Sequence, residues 1–172
     1  MVEIRQLSAA EGRQHVSALA DVLLDCVEGG ASVSFMASIT RAEAESFFET
    51  VIGDVERGDR ILLAAFVDSR LAGTVQCIAA AQPNQPHRAD IAKLLVHRSA
   101  RKRGIATRLM RAIEEASLLR GKTLLVLDTS TGDAAEHLYV SLGWNKVGII
   151  PNYALYPDGR LGATTVFYKQ LP

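Results

Sequence analysis

Short strand-like runs alternate with helical stripes along this chain. Val2–Leu7 reads as a first strand. Ser8-Ala9-Ala10-Glu11 is a capping box, whose Ser and Glu side chains can satisfy free N–H groups at a helix start. Val16, Leu19, Leu23 and Val27 follow at helical spacing, so one helix is expected up to Gly29-Gly30, which stops it. Residues 29–39, GGASVSFMASI, have no clear period and read as a loop. Thr40-Arg41-Ala42-Glu43 is a second capping box. Ala44, Phe47, Phe48, Val51 and Val55 stripe the helix it opens, which ends near Gly58.

Arg60–Val67 and Leu71–Ala80 are strand patterns joined by Asp68-Ser69-Arg70, a hairpin. After the turn-rich Pro83-Asn84-Gln85-Pro86 comes a strand, Arg88–His97. Ile105, Leu109, Ile113 and Ala116 mark a helix ending near Gly121. Thr123–Asp128 reads as a buried strand and Asp133–Leu142 as a short helix stopped by Gly143. Asn145–Ile150 and Ala163–Lys169 are the last strands, with a Pro/Gly-containing connection between them. The order β-α-α-β-β-β-α-β-α-β-β predicts a mixed α/β layer fold. No repeat, low-complexity tract or linker divides it, and 172 residues suit a single domain, 1–172.

Composition narrows the class. The chain is 48% hydrophobic and 22% charged, which excludes a disordered chain. Cys26 and Cys77 are too few for a disulfide framework or a zinc knuckle, so a reducing compartment fits. The longest apolar run, Ile61–Val67, is far short of a membrane span, and the N-terminus has no signal-peptide pattern. The expected location is cytoplasmic. His15 and His87 lack spaced partners, so no metal site is expected.

Charge is zero overall but uneven. Residues 1–87 carry 6 Lys/Arg against 12 Asp/Glu, whereas residues 88–122 carry 10 against 3. Zero net charge argues against nucleic acid as a general partner. The basic block suggests an anionic ligand nearby, or else a solvated helix face. Within it, Leu94–Val96 runs into Arg101-x-x-Gly104-x-Ala106, where a helix begins. Gly104 and small Ala106 let a ligand approach the backbone, and the free N–H groups of the helix start form a phosphate cradle. Lys102 and Arg103 add charge beside it. The missing G-K-[ST] excludes a P-loop.

The next strand–helix unit carries Ala135-x-x-Leu138-Tyr139-x-x-Leu142-Gly143-Trp144. Together the two units resemble the GNAT superfamily of acyl-CoA-dependent N-acyltransferases. The resemblance covers the element order of the whole chain and is most specific in residues 94–107 and 124–144. It implies a mostly antiparallel sheet of six to seven strands, splayed between two central strands and flanked by about four helices. It implies acetyl-CoA as cosubstrate, with its pyrophosphate held by Arg101, Lys102, Arg103, Gly104, Ile105, Ala106 and Thr107. The pantetheine arm would lie between Leu94–Val96 and Leu124–Asp128, a backbone N–H at Leu95 or Val96 would face the acetyl carbonyl, and Tyr139 would sit near the sulfur, able to protonate the leaving thiolate because the reference pKa values of a phenol and a thiol, about 10 and 8.5, are close. Two positions depart from the superfamily pattern: Gly132 stands where many members have Asn, and Arg98 where a Pro is common.

Residues 29–36, Arg88-Ala89-Asp90, Leu127-Asp128-Thr129 and Pro157–Leu161 look like the tabtoxin-resistance acetyltransferase, which acetylates a small β-lactam amino acid. That likeness implies proton-accepting carboxylates at Asp90 and Asp128, and a small-molecule amine as partner. Phe35 is a candidate wall of the acceptor pocket, or else a core residue. Each candidate has a plainer reading: Tyr139 as a core tyrosine, Asp128 as a turn cap, Asp90 as a partner of Arg88 or Lys93. Acetylation of peptide or protein N-termini and a non-catalytic acyl-CoA sensor are the competing functions. A homodimer stays open.

Overall fold

The structure, a computed structural model, describes residues 1–172. The elements in order are β1 (Val2–Gln6), α1 (Ala9–Gln14), α2 (Val16–Glu28), α3 (Arg41–Arg57), β2 (Arg60–Val67), β3 (Arg70–Ala79), β4 (Arg88–Val96), α4 (Ile105–Leu119), β5 (Leu124–Ser130), α5 (Ala134–Ser141), β6 (Asn145–Leu155) and β7 (Leu161–Gln170). All seven strands join one sheet in the order β1-β2-β3-β4-β5-β7-β6. Only β4 and β5 are parallel. The GNAT-like mixed sheet expected from the sequence is therefore present.

Alternation along β2 divides the core. Ile61, Leu63 and Ala65 join a cluster with Leu109 and Ile113 of α4 and with Leu125 and Phe167. Leu62, Ala64 and Phe66 join Leu19 and Leu23 of α2 and Phe48 of α3 on the opposite face. Asp68 and Ser69 both take positive φ (48° and 66°), the two-residue turn that matches the twist of a hairpin.

Two expectations change. The helix expected from Ser8 to Gly29 is two helices, making five in all. His15 leaves helical geometry (φ −110°, ψ 8°), its N–H closes on Gly12, and its ring meets Phe66 edge-on at 5.3 Å. The break lets α1 turn onto α3 while α2, also packed on α3, crosses β3 and β4. The strand expected to end at Ile150 continues to Leu155 through Pro151, with a shift of register between Ile150 and Ala154. β6 is an edge strand, where a missing N–H need cost no ladder bond. Val147, Ile149, Tyr153 and Leu155 along it are exposed.

The feature that shapes the centre is a bulge in β4. Gln76 faces Ala92 and Thr74 faces Leu95, so Val75 alone opposes Lys93 and Leu94. Lys93 takes φ +52° to accommodate it. β4 pairs with β5 only over Arg88–Asp90 and Leu124–Val126. Beyond that point no ladder joins the two strands, and a gap opens.

Candidate active site

Register decides which backbone groups face the gap. His97 N–H bonds Ala72 O at 2.9 Å, so Ala72/His97 and, two residues back, Thr74/Leu95 are the bonded pairs. Val96 lies between them opposite Gly73, and its N–H and C=O point away from β3. The carbonyl accepts from Arg101 Nε at 3.2 Å and from Cys26 Sγ at 3.6 Å. Of the two residues expected to offer an N–H, Val96 has it free and Leu95 has it committed to the sheet.

The loop after β4 makes a single 3₁₀ turn, Arg98–Ala100, before α4. Gly104 caps α4 at φ +70° with no side-chain cap bond. The first helical bond is Arg108 N–H to Gly104 O, so the N–H groups of Ile105, Ala106 and Thr107 have no helical acceptor. A Cβ placed on Gly104 would meet nothing within 4 Å. The N–H groups therefore open onto space a ligand can enter, which suits a pyrophosphate. A cleft of about 580 Å³ runs from this loop past Leu94–Val96 to Ala135 and Leu138.

All the phosphate-loop candidates line that cleft except Arg103. Arg103 faces a larger groove of about 1170 Å³ between α2 and the β2–β3 and β6–β7 turns. That groove shares only Gly30 and Ala100 with the cleft and contains neither the free N–H groups nor the gap, so volume does not identify the site.

Leu125 and Leu127 face α4 and α5, which puts Asp128 on the other face of β5. Asp128 is exposed, and its Oδ2 accepts from Thr164 Oγ1 at 2.7 Å; the same hydroxyl also reaches Thr129 O at 3.0 Å. Asp128 thus has one carboxylate oxygen fixed and the other free. Asp90, at the root of the gap, is bound to Arg88 at 2.7 Å, the plainer of its two expected roles.

The sequence offers Lys93 only as a surface partner for Asp90; in the structure it is half-buried beside Phe35 and Phe47. Its ammonium donates to Ser34 Oγ at 3.0 Å. Burial pulls Lys93 below the ordinary lysine range, against the opposing pull of the Asp128 carboxylate. Phe35 packs edge-on against Phe47 at 5.2 Å, joining the loop to α3.

Tyr139 lies behind the cleft wall. It is 6% exposed and packs against Trp144 and Phe167 at 6.0 and 5.7 Å. Thr165 Oγ1 donates to Glu136, holding α5 on β7. Burial, with the Asp128 carboxylate adding to it, pushes the Tyr139 phenol far above its usual range. The close match between phenol and thiol suggested by reference values is therefore not kept. The raised phenol holds its proton and is suited to giving a hydrogen bond. Cys26 and Cys77 are buried, and burial pushes both thiols up. No group of three or more His, Cys, Asp or Glu side chains is arranged to hold a metal ion.

Residues 30–144 match the acetyltransferase (GNAT) family, and the chain belongs to it. It is an enzyme, an acetyl-CoA-dependent N-acetyltransferase. The fold is similar to that of an N-acetyltransferase from Staphylococcus aureus Mu50 (TM-score 0.83, 17% identity, covering 100% of this chain and 99% of that one). It is also similar to a Salmonella typhimurium protein whose structure holds acetyl-CoA as cofactor (TM-score 0.81, 16% identity, 100% and 95%). A ribosomal-protein-alanine N-acetyltransferase from Brucella melitensis is a third (TM-score 0.80, 20% identity, 98% and 99%).

Proposed function

We propose that the chain moves the acetyl group of acetyl-CoA to the primary amine of a small molecule, an amino acid or a β-lactam amino-acid-like toxin, by direct attack on the thioester. The observation that carries the small acceptor is how the acceptor side is bridged. Ala37 N–H bonds Pro157 O at 3.2 Å, and Ser32 Oγ donates to Leu155 O at 3.3 Å. The 29–39 loop is thereby tied to the β6–β7 end, which favours a closed pocket over a groove open to a peptide. The likeness of residues 29–36 and 157–161 to the tabtoxin-resistance acetyltransferase falls on these same two segments.

Acetyl-CoA supplies an acetyl group activated as a thioester. Ile105–Thr107 N–H groups and Lys102 hold its phosphates. The free Val96 N–H donates to the oxyanion that develops as the amine attacks. Asp128 removes the amine proton, directly or through water, with Thr164 fixing the carboxylate and Asp90 assisting. CoA departs as the thiolate and takes up a proton from water, with Tyr139 giving it a hydrogen bond as it leaves. Two free cysteines suit a reducing cytoplasm. The exposed apolar edge of β6 suits pairing with a second copy; a light-scattering mass of one chain overturns that homodimer.

Thiol release from acetyl-CoA with a panel of amines tests the reading: amino acids, β-lactam amino acids and short peptides. Turnover with small amines alone supports it. Turnover confined to peptides with free N-termini replaces it with the protein-acetylating function that the Brucella neighbour has.

Tyr139→Phe keeps the ring and removes the hydroxyl, so packing against Trp144 and Phe167 should persist. The expected loss is in kcat, up to about 10²-fold, the low end for a proton donor because the phenol shares rather than transfers its proton. Acetyl-CoA affinity should hold. Unchanged kcat with weaker cofactor binding would make Tyr139 a wall of the thiol pocket.

A further inference from the structure

We infer that Lys93 is a specificity-determining residue: its ammonium holds a carboxylate of the acceptor, so the preferred acceptor is a zwitterion with its amine at Asp128. The inference rests on the amine-acetylation reading above and adds the second charge of the substrate.

Three cations stand on this part of the sheet, and two already have carboxylates. Arg60 is bound to Asp54 at 2.7 Å and donates to Gln76 Oε1 at 2.6 Å. Arg88 is bound to Asp90 at 2.7 Å. Lys93 forms no ion pair within 4 Å; its fixed contact is the neutral Ser34 hydroxyl at 3.0 Å. The rings of Phe35 and Phe47, 5.8 and 5.9 Å from Nζ, give it a partial, non-directional stabilisation. An ammonium has three donors, and one is spent on Ser34. Two remain for a ligand.

The contact is also held against local preference at both ends. Lys93 has φ +52° and Ser34 has φ +75°, the left-handed region that side-chain-bearing residues rarely adopt. Such conformations persist where surrounding structure fixes them, and they gather at ligand sites. Here the bulge in β4 fixes one end and the tethered 29–39 loop the other. The result is a lysine turned into a half-buried aromatic slot, within electrostatic reach of Asp128 across the gap. Amine and carboxylate of a small amino acid complement that pair, negative Asp128 with the amine and positive Lys93 with the acid. A peptide chain continues through a neutral amide where the amino acid ends in its carboxylate, so the same slot disfavours it.

The test uses matched acceptors, amino acids and their carboxamides, each with acetyl-CoA and with rates taken per neutral amine, because losing the carboxylate also lowers the pKa of the amine beside it. For the parent enzyme, kcat/KM should favour the acid by roughly 10–100-fold, the range of a hydrogen bond to a charged group. Lys93→Met should bring the ratio near one by raising KM for the acid, with the amide rate and the acetyl-CoA KM unchanged. Lys93→Arg should restore much of the preference. The amide rate shows whether each variant is folded, and the parent's own preference needs no variant. Equal use of acid and amide by the parent enzyme, or an equal loss on both in Lys93→Met, overturns the anchor while leaving amine acetylation standing. Absence of thiol release with every amine, in protein that binds acetyl-CoA, overturns the amine-acetylation reading itself and the anchor with it.

Discussion

Asp128→Asn should lower kcat/KM for the amine at neutral pH by about 10²–10⁴-fold, the range for loss of a general base. A free alkyl amine has a pKa near 10.4, so at pH 7 on the order of one molecule in 10³ is neutral. The unprotonated fraction is too small to sustain turnover unless the site removes the proton. Asn has the shape of Asp, and its carbonyl oxygen can still accept from Thr164 Oγ1, the 2.7 Å contact that positions the side chain. What disappears is the charge and the proton site. The deficit should therefore shrink as pH rises toward 10, where the amine deprotonates itself in water. Acetyl-CoA affinity should not move. Asp90→Asn should cost less, because Asp90 is already engaged by Arg88. If Asp128→Asn shows the parent's pH–rate profile, the carboxylate serves only the fold. The Tyr139 phenol is pushed up by burial, so its ionisation should contribute no alkaline loss over the same range.

Gly104→Val should abolish measurable CoA binding in a protein that still folds. Valine at φ +70° is strained by about 1–2 kcal/mol. That is a minor part of the roughly 5–15 kcal/mol by which a domain is stable. Nor does the new side chain strike the protein, since a Cβ there has no neighbour within 4 Å. The branched carbons instead fill the space above the Ile105–Thr107 N–H groups, where the phosphates approach. Calorimetric titration with CoA should show a loss of at least about 10²-fold, because charge-assisted bonds to several N–H groups are lost together. Gly104→Ala should fall between the two. Full CoA affinity in a folded Gly104→Val variant would remove this loop from cofactor binding.

The cleft was readable because its parts are contiguous. The strand, Gly104 and the helix start follow one another within residues 94–107, and local rules place them. The acceptor side was less so. Lys93 looked like a surface residue because nothing in its neighbours announces a bulge; the bulge arises from pairing with β3, some twenty residues away. Thr164 is hidden from the sequence for the same reason: it meets Asp128 only because β7 inserts beside β5. Arg103 adjoins the loop in sequence, yet the turn through Lys102, at φ +62°, points it to another groove. The break at His15 depends on Phe66, also distant in sequence. Proline in a strand pattern reads as a stop, and only the edge position of β6 makes Pro151 harmless.

The extra residue in β4 acts as a phase shifter. Before it, odd-numbered Ala89 and Ile91 face α4; after it, odd-numbered Leu95 faces α2 and α3. Loss of one residue at 93 or 94 would restore plain alternation with the frame intact, because Ala92 and Leu95 already face Gln76 and Thr74 on one side of the sheet. Leu95 and Val96 would keep their faces, and the same N–H would stay turned to the gap. What the shorter strand gives up is the extra position itself. With Lys93 gone, Leu94 alone would oppose Val75, and the acceptor side would lose its lysine while the cofactor side kept its strand. One inserted residue thus lets substrate choice be rewritten without disturbing the cofactor half of the site.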